Sequence, residues 1–198
     1  MKRLVLASKS QARASVLAGA GLVFEVIPAA VDEDEIKARM KNTGASCEDA
    51  ALALAQAKAR DVAATNPDCF VLGADQILDC DGAWFDKPEN TAQARRHLHD
   101  LSARTHRLIS ALCLVYNEGM IWSHIDMAEL TMRPLSDGFI DDYLEKAGDD
   151  VLYSVGAYQL EGLGSQLFDS VEGDFFTVLG LPLLPLLQVL RQHGVVAT

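Results

Sequence analysis

Positive charge is scarce in this chain. Seventeen Lys and Arg stand against 28 Asp and Glu in 198 residues, a formal net charge of −11. Binders of nucleic-acid polymers need a basic footprint to replace the counterions around phosphates, so that class is excluded, while a small anionic ligand stays compatible if cations gather locally. Cysteine is sparse too. Cys47, Cys69, Cys80 and Cys113 show no C-x-x-C spacing and are too few for a disulfide framework, so they read as buried or idle reduced thiols, which fits a reducing cytoplasm. Long apolar runs are missing as well: the basic start MKRLVLASKSQARASVL is apolar only from Leu4 to Ala7, which argues against an export signal. Near the other end, FFTVLGLPLLPLLQVL is divided by Gly180, Pro182, Pro185 and Gln188 and falls short of a membrane span. Repeats, low-complexity tracts and linkers are absent. None of His97, His99, His106, His124 and His193 has metal-ligand spacing except His97-x-His99, whose rings would leave a helix on different faces. All five read as structural or surface residues.

What is present is an apolar content of 49%, enough for one domain with a substantial core or two lobes sharing one. Strands and helices alternate. RLVLAS reads as a strand, and SQARASVLAGAG as a helix with Ser10 at its N-cap and glycines near its end. LVFEVIPA follows as a strand, Cys47 to Ala64 as a helix, and CFVLGAD as a buried strand that stops on Asp75. A hairpin through Asp81 and Gly82 comes next, then a helix over 90–102 and two long strands around a turn at Asn117 to Gly119. Residues 136–147 are helical again, and a buried C-terminal helix carries Pro182 in its first turn. The fold class is α/β: one domain over 1–198 with a mixed central sheet flanked by helices.

Charged side chains collect at the ends of these elements. Ser8, Ser10 and Arg13 sit where the first strand gives way to a helix, a place that favours an anion such as phosphate. Asp32 and Glu33 follow the second strand, Lys58 interrupts an alanine-rich helix, Asp75 and Gln76 end the buried strand, and Lys87 precedes Pro88. In open α/β sheets ligands lie at strand ends. Singly, each residue has an ordinary structural role: Lys58 snorkelling, Lys87 solvated, Arg13 paired with a nearby Glu. Together they are what metal-assisted attack on a phosphoanhydride requires, with carboxylates for a divalent cation and cations for phosphate oxygens.

The motifs resemble the Maf nucleotide pyrophosphatases. LASKSQAR is similar to the family's opening LAS-x-S-P-R-R, IPAAVDE to its VDE motif and LALAQAKA to its Lys-bearing helix; VLGADQ, DKP, LSARTH, VGAYQLEGLG and VLGLPL follow in the family's order. The resemblance implies a Maf/ITPase-like fold of two lobes with a cleft between them. It implies a cytoplasmic, usually dimeric enzyme that splits a nucleoside triphosphate into monophosphate and pyrophosphate with a divalent cation, Mg or Mn. By the same resemblance Asp75 is the catalytic acid-base residue, with Lys58 and Lys87 beside it. Glu33 and Asp75 hold the metal; Ser8, Arg13, Gln76 and Glu161 bind substrate.

Gln76 and Glu161 resemble the 7-methyl-GTP branch, whereas GAD-T with a Gln in GIQG is the dTTP/UTP pattern. A carboxylate at 161 suits guanine, since it accepts both N1–H and N2–H₂ and attracts an N7-methylated ring. The opening motif departs from the family at Gln11, Ala12 and Ala14, and Asp86 replaces Gly before Lys87. The 7-methyl-GTP branch resembles a Trp at position 12, which leaves Trp84, Phe85 and Tyr158 as aromatic candidates to stack on a cationic base. Two other readings remain at this stage: a dTTP/UTP-type pyrophosphatase, and a low-turnover nucleotide-binding regulator of cell division. A sugar-nucleotide transferase would need a Gly-rich strand-to-helix loop that LASKSQAR does not supply.

Overall fold

The computed structural model describes residues 2–117 and 119–197. In chain order the elements are β1 (Arg3–Leu6), α1 (Gln11–Gly19), β2 (Glu25–Val26), α2 (Glu33–Asn42), α3 (Cys47–Ala63) and β3 (Cys69–Cys80). Then come β4 (Ala83–Phe85), α4 (Thr91–Leu101), β5 (Thr105–Tyr116), β6 (Gly119–Met132) and α5 (Asp137–Ala147). Three 3-10 turns lie between Gly148 and Leu167, followed by β7 (Phe168–Glu172), α6 (Phe175–Val178) and α7 (Leu183–Gln192). The strands form one sheet in the order β2-β1-β3-β5-β6-β7, with β4 paired to β3. β1 runs parallel to β2 and β3, whereas β3–β4 and β6–β7 are antiparallel. The sheet is therefore mixed, as the alternation of elements implied.

The chain divides into two compact units, the first made of 1–76, 109–126 and 175–198, the second of 77–108 and 127–174. In the first, Leu4, Leu6, Phe70, Leu72, Leu112 and Leu114 project from strands and pack with Leu17 of α1 and Leu186 and Leu190 of α7. α1 begins as expected: Ser10 caps it by accepting from the Arg13 N–H. α7 starts one residue later than predicted, because Pro182 is its N-cap rather than a first-turn residue. Between β1 and α3 the expected strand over 22–29 is pared down to two paired residues, and α2 takes up 33–42. That helix carries its own signals: Asp32 caps it, Glu33, Asp34 and Glu35 fill the first turn, and Arg39 and Lys41 the last, all favourable to the helix dipole.

Within the second unit, α4 packs on α5 and on the first two 3-10 turns, burying Leu98, Leu101, Ile140 and Tyr143. The predicted hairpin is present: Asp81 and Gly82, at φ 52 and 83, form a two-residue turn between the paired Cys80 and Ala83. The second predicted turn holds Asn117 at φ 49; its Glu118 lies outside the described residues. Asp75 does not end a strand. β3 continues for five residues beyond it to the hairpin, so the carboxylate is buried mid-strand and must be answered by a partner.

Among the described residues His106 is the one buried histidine, and burial pulls its imidazole down to about 4 from an ordinary 6.5. The unfolded chain takes up that proton first, so the ring's contribution to stability is complete above pH 6.5 and is lost as pH falls toward 4. The loss amounts to about 3 kcal/mol. The stability gap between the wild type and His106→Leu should narrow over that window in urea unfolding. A gap constant from pH 7.5 to 4 would contradict the buried neutral ring.

Candidate active site

The close approach of α3 to β3 builds the centre of the first unit. A Cβ on Gly73 would lie 2.0 Å from the Ala55 carbonyl oxygen and 2.8 Å from the Ala59 nitrogen, so only glycine lets this alanine face of the helix lie on the strand. Lys58, beside those alanines on α3, then meets Asp75 of β3. Its Nζ donates to Asp75 Oδ1 at 2.5 Å and lies 2.9 Å from Glu33 Oε1 at the start of α2. Lys58 is 7% and Asp75 5% exposed, so each charge is kept inside by the other. Burial alone would raise the Glu33 carboxyl, but the charge and hydrogen bond of Lys58, with Lys37 and Arg13, hold it below its ordinary value. An ammonium has three donors, and two are engaged here, leaving one.

Arg13 is buried beside them. Its Nε donates to Gly180 O at 2.9 Å, and its Nη1 to Ala74 O at 2.8 Å and Ser8 Oγ at 3.2 Å. Burial pushes the guanidinium below its ordinary value, against the pull of Asp75 and then Glu33. Three of its five donors are used within the protein, and the Nη2 pair remains. Ser8 Oγ accepts from Arg13 and from the Ser10 N–H, so its own proton also remains for a ligand. Ser8, Arg13 and Lys58 thus keep unspent donors around a buried carboxylate, an arrangement suited to phosphate oxygens with a proton acceptor among them.

Gln76 is held differently from the sequence expectation. Its Nε2 faces Ser110 Oγ, Thr177 O and Val178 O at 3.0, 3.1 and 3.0 Å, and Ser110 Oγ donates to Thr177 O at 2.8 Å. Its amide donors are consumed, so Gln76 can offer a ligand only the acceptor Oε1. No sequence pattern gives Ser110, Thr177 or Gly180 a place in the site. The signal for Ser110 is a lone hydroxyl in the apolar run LISALCLV; Thr177 and Gly180 lie in the VLGLPL region, where nothing local names their partners.

Lys87 and Glu161 belong to the second unit and are both exposed, Lys87 in the loop after β4 and Glu161 in a turn of the 159–164 segment. Two of the aromatic candidates for stacking are committed elsewhere. Tyr158 is 4% exposed, edge-on to Phe168 with centroids 4.8 Å apart, and Phe85 meets His97 edge-on at 5.2 Å. Also in this unit, buried Asp79 accepts from Arg107 at 2.7 Å, an ion pair the sequence gave no reason to expect.

Glu33 and Asp75 present hard oxygen donors that suit Mg or Mn. Among the described residues no group of three or more His, Cys, Asp or Glu is placed to hold a metal. A pair of carboxylates fits a cation that completes its shell with phosphate oxygens and water. Lys58 already bridges the two, which shows that the pair accepts a shared positive charge.

A family model described as Maf-like protein matches residues 3–193. The 7-methyl-GTP pyrophosphatase of Rhizobium meliloti (strain 1021) is 50% identical over 193 residues, covering 98% of this chain and 97% of its own. The nucleoside triphosphate pyrophosphatase of Paramagnetospirillum magneticum is 53% identical over 190 residues, covering 96% and 98%. Among solved structures, a nucleoside-triphosphatase (dITP/XTP pyrophosphatase) from Mycobacterium abscessus is a distant likeness, 18% identical with a TM-score of 0.42 over 97% of this chain and 94% of that one. With a match over nearly its whole length and relatives about half identical end to end, the chain belongs to the Maf family.

Proposed function

We infer that this protein is a nucleoside triphosphate pyrophosphatase that cleaves the α-β phosphoanhydride, and that its substrates are modified nucleotides of the 7-methyl-GTP kind. One observation carries the reading: a buried carboxylate, Asp75, is paired with Lys58 and follows Ala74, whose carbonyl accepts from Arg13, among donors left unspent by the fold. Relatives named 7-methyl-GTP and nucleoside triphosphate pyrophosphatases support it.

In the proposed reaction Asp75 accepts a proton from the water that attacks the α-phosphorus. The new P–O bond forms as the bond to the β-phosphate oxygen breaks, and pyrophosphate leaves. Ser8, Arg13 and Lys58 hold phosphate oxygens with their remaining donors, and Lys87 is assigned the same task by the family pattern. Lys58 spends its third donor on phosphate, so it keeps Asp75 and Glu33 oriented while it binds. Glu33 and Asp75 would hold a divalent cation, which when bound offsets triphosphate charge and acidifies water. Glu161 is the base-reading carboxylate. Gln76 contributes an acceptor. A cytoplasmic homodimer belongs to the same reading, and four buried cysteines that form no disulfide among the described residues agree with a reducing compartment. Among the described residues no helix is long and apolar enough to cross a membrane.

Pyrophosphate release from 7-methyl-GTP, GTP, dTTP, UTP and CTP with magnesium tests this directly. The expected result is preference for 7-methyl-GTP, and a drop in that preference of about tenfold or more in Glu161→Gln, which replaces one of the two acceptor oxygens by a donor and removes the charge. A pyrimidine preference would keep the reaction and remove the role of Glu161. No release from any nucleotide would overturn the enzyme and leave the nucleotide-binding regulator.

A further inference from the structure

The turn that carries Glu161 is braced from both sides, at its entry by buried groups. At its entry Gly156 and Ala157 have φ of 75 and 61, a left-handed backbone that a side chain resists and that neighbouring contacts must hold. A Cβ on Gly156 would lie 2.6 Å from Leu78 Cδ1 and 2.7 Å from Tyr158 Cε1. The Tyr143 hydroxyl donates to Ala157 O at 3.2 Å. Tyr158 follows, its ring packed on Phe168 and its hydroxyl 2.7 Å from His106 Nε2 on β5. At the exit, a Cβ on Gly164 would lie 2.4 Å from Gln159 O, so the end of the turn closes on its beginning. The Gly162 N–H donates to Gln159 O at 3.2 Å, and Ser165 donates to Gly162 O through both its N–H and its hydroxyl. Between these fixed ends Glu161, Gly162 and Leu163 are exposed.

Among the described residues the His106–Tyr158 bond is the polar anchor that ties this segment to a strand of the sheet. His106 Nδ1 is buried without a hydrogen-bond partner, so the contact through Nε2 is the imidazole's whole polar attachment. A packing role alone would not need it: Phe at 158 would fill the same space against Phe168.

We propose that His106 and Tyr158 are positioning residues for nucleobase selection, fixing the turn so that the Glu161 carboxylate is presented in one orientation. The proposal rests on the pyrophosphatase reading and on Glu161 as its base-reading group. A bidentate carboxylate contact tolerates little rotation, so loosening the turn lowers affinity for the base that makes it and spares bases that do not.

The test is a double-mutant cycle on the full-length protein, with kcat and KM measured for 7-methyl-GTP, GTP and UTP and melting temperature recorded for every variant. Tyr158→Phe and His106→Leu should lower the guanine-to-uracil ratio of kcat/KM by about tenfold, chiefly through KM of the guanine nucleotides. His106→Gln, whose amide reaches the place of Nε2, should keep the ratio near that of the wild type. Tyr158→Phe combined with Glu161→Gln should lower the ratio no further than Glu161→Gln alone. An unchanged ratio in Tyr158→Phe, or effects that multiply in the double variant, would overturn the positioning role while leaving Glu161 in place. An unchanged ratio in Glu161→Gln would remove the base reader and the proposal with it. Absence of release by the wild type would remove the pyrophosphatase reading as well.

Discussion

Asp75→Asn should lower kcat for pyrophosphate release at least about a hundredfold, the low end for loss of a general base. Asn keeps the volume, and its amide oxygen can still accept from Lys58, so the strand and the Gly73 contact with α3 stay intact. What disappears is the charge that takes a proton from water. The same change removes one negative charge from a place where a triphosphate arrives, so nucleotide affinity measured without divalent metal and without turnover should hold or tighten. This opposite movement of binding and turnover separates a lost proton acceptor from a collapsed site, which would weaken both. Turnover within threefold of the wild type, with binding unchanged, would assign Asp75 to structure alone. The Lys58–Glu33 contact survives in this variant, so the stability cost should fall below the 3–5 kcal/mol typical of stripping one partner from a buried pair.

The residue types of this site were legible in the sequence; their pairing was not. Strand and helix periodicities identified β1, α1, α3 and α5, and the order of the motifs carried the family. The strand end placed at Asp75 was wrong for a physical reason. A pattern of burial treats a carboxylate as a boundary, and the partner that permits it mid-strand, Lys58, comes from a helix 17 residues earlier. Gln76 shows the same limit over a longer span, because its acceptors Thr177 and Val178 lie 101 and 102 residues away. Local signals did exist for α2, whose cap and charge order follow the helix dipole. The short edge strand β7 and the 3-10 turns lack any strong period, and they form where the segments between α5 and α6 are fixed by neighbours such as His106 and Tyr143.

Gly73 is the residue on which the Lys58–Asp75 meeting depends, and Gly73→Ala should show it. The added methyl would stand 2.0 Å from Ala55 O, 2.8 Å from Ala59 N and 2.9 Å from Ala59 Cβ. Two of these are helix backbone atoms, which cannot swing aside as a side-chain tip would, so α3 must retreat from β3 by about an ångström or more to restore ordinary contact. Lys58 rides on that helix, and a shift of this size takes its Nζ out of hydrogen-bond range of Asp75 or Glu33, or forces it to reach in a poorer rotamer. Overpacking should cost about 1–3 kcal/mol in urea unfolding, and turnover should fall by about a hundredfold, as expected when catalytic groups are misplaced by that distance. Gly138→Ala is the matched control. It lies in α5 with ordinary φ and nothing within 4 Å of its Cβ position, so the change should be neutral or stabilise by up to about 1 kcal/mol. If the two variants behave alike, the contact between α3 and β3 does not govern the site. If only Gly73→Ala loses both stability and turnover, a missing methyl group sets the geometry of the charged pair.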